Sequence, residues 1–256
     1  MAGAPLLIAA GSRAFAGNAP SIGRLIEQAK EYRRVAQRID FISSKLLGVR
    51  YQAHTLIGGP KHAERFVVRD DAFDCVTFCE VVLAAAIARD PAEFEASLRR
   101  IRYEHGTVQW DRRNHYFADW SRRNIENRIC RPVAMEQSVT YEKTVTWHRA
   151  LGRRQVSIMG IPKAAFLASH ELLAAGDIVG FTSGRSDLDY FHTGLVAFGK
   201  DGALLLRHAS QRRGRVIEEK MAGFVTVNPV RYITLIRAEE QDSAPSSDSA
   251  SVVEQR

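Results

Sequence analysis

The period of the apolar residues changes once along the chain, and this change constrains the fold more than any other feature. Between residues 21 and about 47, apolar side chains recur every three or four positions, which predicts helix. After about Pro132 the period approaches two, which predicts strands. We expect strands at residues 140–147, 155–158, 177–181, 191–198, 203–208, 215–218 and 232–236. Helices followed by neighbouring strands predict an α+β fold, with a helical half packed on a small, mostly antiparallel sheet.

We expect one globular domain over residues 21–240, flanked by two segments of different composition. The chain has 256 residues, 45% of them hydrophobic, which is enough to bury a core without disulfides or metals. Residues 1–20 contain a short apolar run and the small-x-small pattern Ala14-Phe15-Ala16. They are interpreted as a signal peptide, which implies a periplasmic or exported protein, or as a disordered tail of a cytoplasmic one. Residues 241–256, rich in Ser, Asp and Ala, predict a disordered tail.

The composition excludes some classes of function and leaves others open. No run approaches the roughly 18 apolar residues that an integral membrane helix needs. The net charge of +7 permits an anionic partner, but the arginine pairs are scattered and no nucleic-acid motif is present. This pattern favours a solvated surface, so we expect no nucleic-acid partner. The three cysteines leave at least one thiol free, and their spacing lacks the second ligand pair of a zinc site.

Cys75 is the first candidate for chemistry. It follows Asp74, a good helix N-cap, and opens the segment 75–88, which is apolar on nearly all sides and therefore predicts a buried helix. The unpaired N–H groups at a helix start can stabilise a thiolate, so we expect a lowered pKa for Cys75. The same groups can hold the oxyanion formed when a thiolate attacks an amide. A small buried structural cysteine is the alternative interpretation.

Two histidines strengthen the catalytic interpretation. His192 lies in one predicted strand and His208 in the next, with turn residues around Lys200 between them. In a hairpin, the residue numbers of every directly opposed pair add up to the same value, which we call the index sum. A loop centred near residue 200 gives an index sum of 400 or 401. The indices of the two histidines sum to 400, so their rings are expected to be cross-strand neighbours, one able to orient the other.

These residues and several further segments resemble a known family. Asp74 and Cys75 open a helix, and His192-Thr193-Gly194-Leu195 follow far downstream. The matching segments are residues 51–56, 73–78, 101–103, 113–120, 161–163, 176–180 and 207–210. They resemble the N-acetylmuramoyl-L-alanine-amidase-like family, first catalogued as domain of unknown function 1460, a branch of the NlpC/p60 papain-like cysteine hydrolases. The resemblance covers roughly residues 50 to 237 and implies a papain-like fold.

The resemblance implies a reaction and three catalytic residues. Cys75 would be the nucleophile, His192 the general base and acid, and His208 the residue that orients His192. The expected substrates are peptidoglycan fragments, cut between N-acetylmuramic acid, in its ordinary or 1,6-anhydro form, and L-alanine, without a cofactor. A D-glutamyl-diaminopimelate endopeptidase and an inactive muropeptide-binding module remain as alternatives. Phe191, Thr193 and the segment 141–154 depart from the family pattern, and these departures put the substrate in question.

Candidate substrate contacts come from the polar and aromatic residues of the matching segments. A helix predicted over residues 115–125 would place His115 on the same face as Asp119. Such side chains can stack on sugars or bind carboxylates, although packing into the core is the alternative. The candidates are Tyr51, Asp74, Arg113, His115 and Tyr116.

Overall fold

The computed structural model describes residues 21–146 and 148–241. The expected signal peptide or disordered tail over residues 1–20 lies outside the described residues, and so does the expected C-terminal tail from residue 242 onward. Gln241, the last described residue, donates hydrogen bonds from its side chain to the carbonyls of Arg128 and Glu239, at 3.3 and 3.1 Å. No helix among the described residues is long and apolar enough to cross a bilayer.

The helices lie mainly in the first half of the chain. Within the described residues they are α1 (Ile22–Ala29), α2 (Val35–Lys45), α3 (Cys75–Ile87), α4 (Phe94–Arg102), α5 (Phe117–Glu126), α6 (Lys163–Ala168) and α7 (Met221–Val227). The helical pattern predicted over residues 21 to 47 is therefore divided into two helices. At the start of α2 the backbone N–H of Val35 donates to the Glu240 carboxylate at 2.9 Å, and the N–H of Arg34 donates to the Gln37 side chain at 3.2 Å. No local sequence pattern reveals a partner so far along the chain.

All seven predicted strands are present, with ends shifted by a few residues. The strands are β1 (Arg50–Tyr51), β2 (Ile57–Gly59), β3 (His62–Arg65), β4 (Ala72–Phe73), β5 (Cys130–Pro132), β6 (Val139–Val145), β7 (Arg154–Pro162), β8 (Ile178–Thr182), β9 (Tyr190–Phe198), β10 (Leu204–Ser210), β11 (Arg215–Lys220) and β12 (Tyr232–Ala238).

The main sheet is larger than predicted. Its strand order is β4-β1-β11-β10-β9-β8-β12-β7-β6, with β5 also paired to β12, which makes ten strands. The pairings are antiparallel except for β1 with β4. The prediction of a small sheet was wrong because β1, β4 and β5 have only two or three residues, too few to show a period of two.

Two hydrophobic clusters pack on opposite sides of the central strands. Leu195 belongs to the first cluster and Val196, the next residue of β9, to the second, as expected when side chains alternate between the faces of a sheet. The helices α1 to α4 contribute to the first cluster, and α6 and α7 to the second. The helix α3 packs on β9 and β10, so its first residue lies close to the middle of the sheet.

A buried ion pair fixes α3 against α4. Arg102 Nε donates to Glu80 Oε2 at 2.7 Å, and each side chain is only 2% exposed. Arg102 Nη1 also donates to the carbonyl of Val67 at 2.6 Å. Charges that are both buried and hydrogen-bonded have few alternative arrangements, so this pair restrains the helix that carries Cys75.

Candidate active site

Cys75 begins α3, as the sequence predicts. The Asp74 carboxylate caps the helix by accepting hydrogen bonds from the N–H groups of Val76, at 3.1 Å, and Thr77, at 2.8 Å. The Thr77 hydroxyl accepts the N–H of Asp74 in return, at 2.9 Å. Cys75 is a free cysteine and, unlike Cys79 and Cys130, the residue is not fully buried. The local sequence therefore places a reactive group at a well-formed helix start.

The sulfur of Cys75 is held against β9. The pairing of β9 with β10 extends no further than Leu195 and Arg207. The backbone of Thr193, two residues beyond, is close enough to the Cys75 sulfur to lower the pKa of the thiol. Because Thr193 directly follows His192, this contact brings the helix start next to the strand segment that carries the histidine. The side chain of Thr193 reaches the next turn of the same helix, where its hydroxyl lies 3.8 Å from the sulfur of Cys79.

The two histidines form a pair, as predicted. His192 Nε2 lies 2.6 Å from His208 Nδ1, and the rings are nearly perpendicular, with centroids 4.7 Å apart. The predicted register was wrong by one or two residues. Leu206 opposes Val196, which gives an index sum of 402, so the histidines are diagonal rather than directly opposed neighbours.

Gly194 permits this diagonal contact. It lies opposite His208, one residue beyond the last pair of the β9–β10 ladder. A Cβ added to Gly194 would lie 2.9 Å from His208 Cβ and 2.7 Å from Leu206 Cδ1. The absence of a side chain at this position therefore leaves the space in which the two imidazoles meet.

Glu219 and Phe224 complete the surroundings of the histidines, and sequence reasoning missed both. His208 Nε2 donates to Glu219 Oε1 at 2.9 Å. The Phe224 ring, from α7, lies 5.4 Å from the His192 ring and 5.6 Å from the His208 ring. The index-sum argument could have found Glu219, because the next hairpin pairs His208 with Ile217, two residues before it on the same face of β11. No comparable signal marks Phe224.

Burial dominates the protonation of the catalytic candidates. It raises the pKa of the Cys75 thiol to about 12, with a further contribution from the Asp74 carboxylate, against the opposing effect of nearby N–H groups. Burial and the neighbouring His208 lower the pKa of His192 to about 3. The expectation of a lowered Cys75 pKa was therefore wrong, because loss of water and a nearby carboxylate outweigh the helix start. At neutral pH both groups are uncharged.

Tyr51 and Asp74 lie close to the thiol. The pKa of Tyr51 is raised by burial and then by electrostatic interaction with Cys75 and Asp74, as expected of a phenol in their neighbourhood. Tyr51 comes from β1, which pairs with β4 immediately before Asp74. The pairing of two very short strands thus brings these two predicted contact residues to Cys75.

Arg113 is held in a separate polar cluster. Its Nη1 donates to Glu64 Oε1 at 2.8 Å, and the same oxygen accepts a 2.8 Å hydrogen bond from the hydroxyl of Tyr103. The side chain of Arg113 is 14% exposed and that of Glu64 is 1% exposed. Arg113 is therefore ordered by the fold, with a small accessible surface.

His115 and Tyr116 lie before α5 rather than within it. The predicted helix over residues 115–125 begins at Phe117, so His115 does not share a helix face with Asp119. His115 Nε2 lies 2.6 Å from the carbonyl of Trp110, and burial lowers the pKa of His115 to about 4. Tyr116 is 1% exposed, and its hydroxyl accepts the N–H of His148 at 3.0 Å. This burial favours the alternative interpretation of Tyr116, in which the ring packs into the core.

The fold and the site define an amidase-like α+β protein with a helix-start cysteine next to a histidine pair. Residues 41–233 match the AmiA-like family model, described as N-acetylmuramoyl-L-alanine amidase-like. The chain belongs to this family, as the sequence motifs indicated. No curated protein matches the chain. The papain-like and NlpC/p60 assignments stay predictions.

Solved structures with the same fold come from several bacteria. An N-acetylmuramoyl-L-alanine amidase from Bacteroides uniformis is 25% identical and has a TM-score of 0.71, covering 80% of this chain and 99% of that one. A Legionella pneumophila protein assigned to DUF1460 is 19% identical, with a TM-score of 0.74 and coverage of 85% and 93%. A protein described as a putative xylanase from Bacteroides fragilis is 23% identical, with a TM-score of 0.67 and coverage of 76% and 98%. At 19% and 23% identity, the last two show the fold alone.

Proposed function

We propose that this protein is a cysteine-dependent amidase that hydrolyses peptidoglycan fragments. The bond cut is the amide between the lactyl group of N-acetylmuramic acid, in its ordinary or 1,6-anhydro form, and L-alanine. Cys75 is the nucleophile, His192 the general base and acid, and His208 the residue that orients His192. Membership of the amidase-like family supports the substrate class. The likeness to the Bacteroides uniformis amidase supports the bond.

One contact carries the catalytic part of the proposal. The helix α3 packs on β9, and the backbone of Thr193, the residue that follows His192, lowers the pKa of the Cys75 thiol. A thiol at a helix start needs a base within reach to become a nucleophile, and this contact brings the base-bearing segment to it. Since Nε2 of His192 is engaged by His208, Nδ1 is the nitrogen available to the thiol.

The reaction proceeds through a thioester. Because Cys75 and His192 are both uncharged at neutral pH, the thiol gives its proton to His192 Nδ1 as the sulfur attacks the amide carbonyl carbon. The Asp74 cap occupies the N–H groups of Val76 and Thr77, so the N–H of Cys75 is the first-turn group left for the oxyanion. The C–N bond then breaks and protonated His192 gives its proton to the leaving nitrogen of L-alanine.

Water completes the cycle. His192 takes a proton from a water molecule, whose oxygen attacks the thioester carbon. The C–S bond breaks, the lactyl carboxylate leaves, and the proton returns to the sulfur. The products are the glycan with a free lactyl carboxylate and the peptide with a free L-alanine amine.

The remaining predicted contacts belong to substrate recognition. Tyr51 and Asp74 lie at the thiol and suit the groups that flank the scissile amide. Arg113 and His115 suit a more distant part of the muropeptide, where the Arg113 cation can pair with a peptide carboxylate and the neutral His115 ring can take part in hydrogen bonding or stacking. These four roles are part of the proposal.

The test compares variants in which one cysteine is replaced, using defined muropeptides as substrates. Wild type, Cys75→Ala and Cys79→Ala are incubated with purified muropeptides of ordinary and 1,6-anhydro form, and the products are identified by mass spectrometry. Cys79 is the matched control, because it is a free thiol on the same helix but is buried. We expect free glycan and intact peptide from wild type and Cys79→Ala, and no turnover by Cys75→Ala.

Each other outcome has a definite meaning. Equal activity of Cys75→Ala and wild type would eliminate the proposed nucleophile. Release of peptides cut between D-glutamate and diaminopimelate would identify an endopeptidase instead. Saturable muropeptide binding by wild type without turnover would identify an inactive binding module.

A further inference from the structure

A chain of hydrogen bonds leads from the proposed base to a carboxylate at the surface. His192 Nε2 contacts His208 Nδ1 at 2.6 Å, and His208 Nε2 contacts Glu219 Oε1 at 2.9 Å. The three residues come from the adjacent strands β9, β10 and β11, and each is a diagonal neighbour of the next. The middle residue is the most buried, since the His208 side chain is 2% exposed, whereas that of Glu219 is 39% exposed and reaches the surface.

The direction of these hydrogen bonds follows from the carboxylate. An ionised carboxylate only accepts, so His208 must carry its hydrogen on Nε2. A neutral imidazole with hydrogen on Nε2 accepts at Nδ1, so His192 must donate from its own Nε2. His192 is then left with an unprotonated Nδ1, the form that can take a proton from a thiol. Burial lowers the pKa of both imidazoles, which agrees with neutral rings.

We propose that Glu219 is a positioning residue that sets the tautomers of His208 and His192 and so keeps His192 Nδ1 free as the base. This inference rests on the proposed function for its catalytic consequence, but the tautomers themselves can be observed without any substrate. Without Glu219, His208 can hold its hydrogen on either nitrogen. When the hydrogen is on Nδ1, His208 donates to His192, whose remaining hydrogen then occupies Nδ1 and blocks the base.

The neighbouring carboxylate provides a control. Glu218 lies on the opposite face of β11, where its carboxylate accepts a 2.8 Å hydrogen bond from Arg207 Nε. Arg207 Nη1 also donates to Asp40 Oδ1 and to the Ser43 hydroxyl, so this cluster joins α2 to the sheet. Glu218→Ala removes a structural ion pair from the same strand while leaving the histidine chain intact. Any effect shared by Glu218→Ala and Glu219→Ala reflects structure alone.

The first measurement is nitrogen NMR of histidine-labelled protein at neutral pH. Imidazole nitrogens with and without hydrogen have well-separated chemical shifts, and the His192→Gln and His208→Gln variants assign the signals. We expect hydrogen on Nε2 of both rings in wild type, Glu219→Gln and Glu218→Ala. Glu219→Ala is expected to populate the alternative tautomers. Hydrogen on His192 Nδ1 in wild type, or identical spectra for wild type and Glu219→Ala, would overturn the proposal.

The second measurement is steady-state hydrolysis of the muropeptides described above. We expect Glu219→Ala to lower kcat by about 10- to 100-fold, the range typical of removing a partner that orients a functional imidazole, with little change in KM. Glu219→Gln keeps an acceptor oxygen and should recover most of that loss. If Glu219→Ala unfolds, the Gln variant alone decides the test, since a kcat as low as that of His208→Gln would contradict a role in accepting the hydrogen bond.

The two proposals fail in distinguishable ways. If wild type hydrolyses no muropeptide, the proposed function fails while the NMR result still decides the tautomers. If wild type is active and the tautomers do not depend on Glu219, the amidase proposal stands and the role of Glu219 is refuted.

Discussion

The space at Gly194 offers a direct way to separate the histidine pair without changing either histidine. In Gly194→Ala the new Cβ would lie 2.7 Å from Leu206 Cδ1, 2.9 Å from His208 Cβ and 3.0 Å from the carbonyl oxygen of Arg207. Real Cβ atoms do not approach other heavy atoms so closely, so β10 must move away from β9. The movement acts on a hydrogen bond between rings that is only 2.6 Å long.

The cost in stability can be matched by a control elsewhere in the sheet. Overpacking a buried site by one methyl group costs about 1–3 kcal/mol of unfolding free energy. Gly180→Ala, on β8, creates even closer contacts, with the new Cβ against Phe117 Cε1, 2.8 Å from Phe117 Cδ1 and 2.9 Å from Tyr190 Cδ1. Neither neighbour belongs to the proposed catalytic chain. We therefore expect Gly180→Ala to be destabilised at least as much as Gly194→Ala, but to keep its activity.

The assay combines urea unfolding with hydrolysis of muropeptides at a temperature where both variants are folded. Gly194→Ala should lose most of its kcat, because His208 can no longer hold His192. Gly180→Ala should keep kcat near the wild-type value. A Gly194→Ala protein that unfolds at lower urea but turns over substrate like wild type would refute the idea that the diagonal contact matters. Equal loss of activity in both variants would do the same.

Three further results are expected. Because burial raises the Cys75 pKa to about 12 and lowers that of His192 to about 3, the thiol stays protonated at neutral pH. The rate of Cys75 alkylation by iodoacetamide, after subtraction of the rate measured for Cys75→Ala, should then rise about tenfold per pH unit from about pH 6 to about pH 9. A rate that stops rising below pH 8 would indicate a thiolate–imidazolium pair. Arg102→Met should lower the free energy of unfolding in urea by about 3–5 kcal/mol, because it leaves the Glu80 carboxylate buried and unpaired. Adding Glu80→Gln should recover part of this loss, and a loss below about 1 kcal/mol for Arg102→Met would contradict the prediction. Asp74→Ala should lower stability by about 1 kcal/mol, whereas Asp74→Asn keeps the cap and should not.

The features that the sequence could predict are those that local patterns determine. Strands with one buried face, such as β7, show a period of two, whereas β8, buried throughout, shows a continuous apolar run. Asp74 caps α3 through atoms two and three residues away. The histidine pair was found because a hairpin links it within a short loop. Even there the register was misplaced, since the turn closes with a hydrogen bond from Gly199 N–H to the carbonyl of Ala203 and is centred later than predicted.

The features that the sequence could not predict depend on distant contacts or on burial. The start of α2 contacts Glu240, 205 residues further along the chain, and the short strand β1 pairs with β4 on one side and with β11 on the other. The pKa of Cys75 depends on how much water the folded chain removes from the thiol, which no spacing of residues reveals. The Tyr116 side chain is an aromatic ring of the kind that stacks on sugars, yet tertiary packing buries it.

The two halves of the proposed catalytic machinery rest on different hydrophobic clusters. Cys75 is carried by a helix of the first cluster, whereas the imidazoles contact Phe181 and Phe224 of the second. A perturbation that loosens one cluster while the sheet persists would change the distance between the sulfur and the rings. Enzymatic activity would then be lost under milder conditions than the circular-dichroism signal of the folded protein.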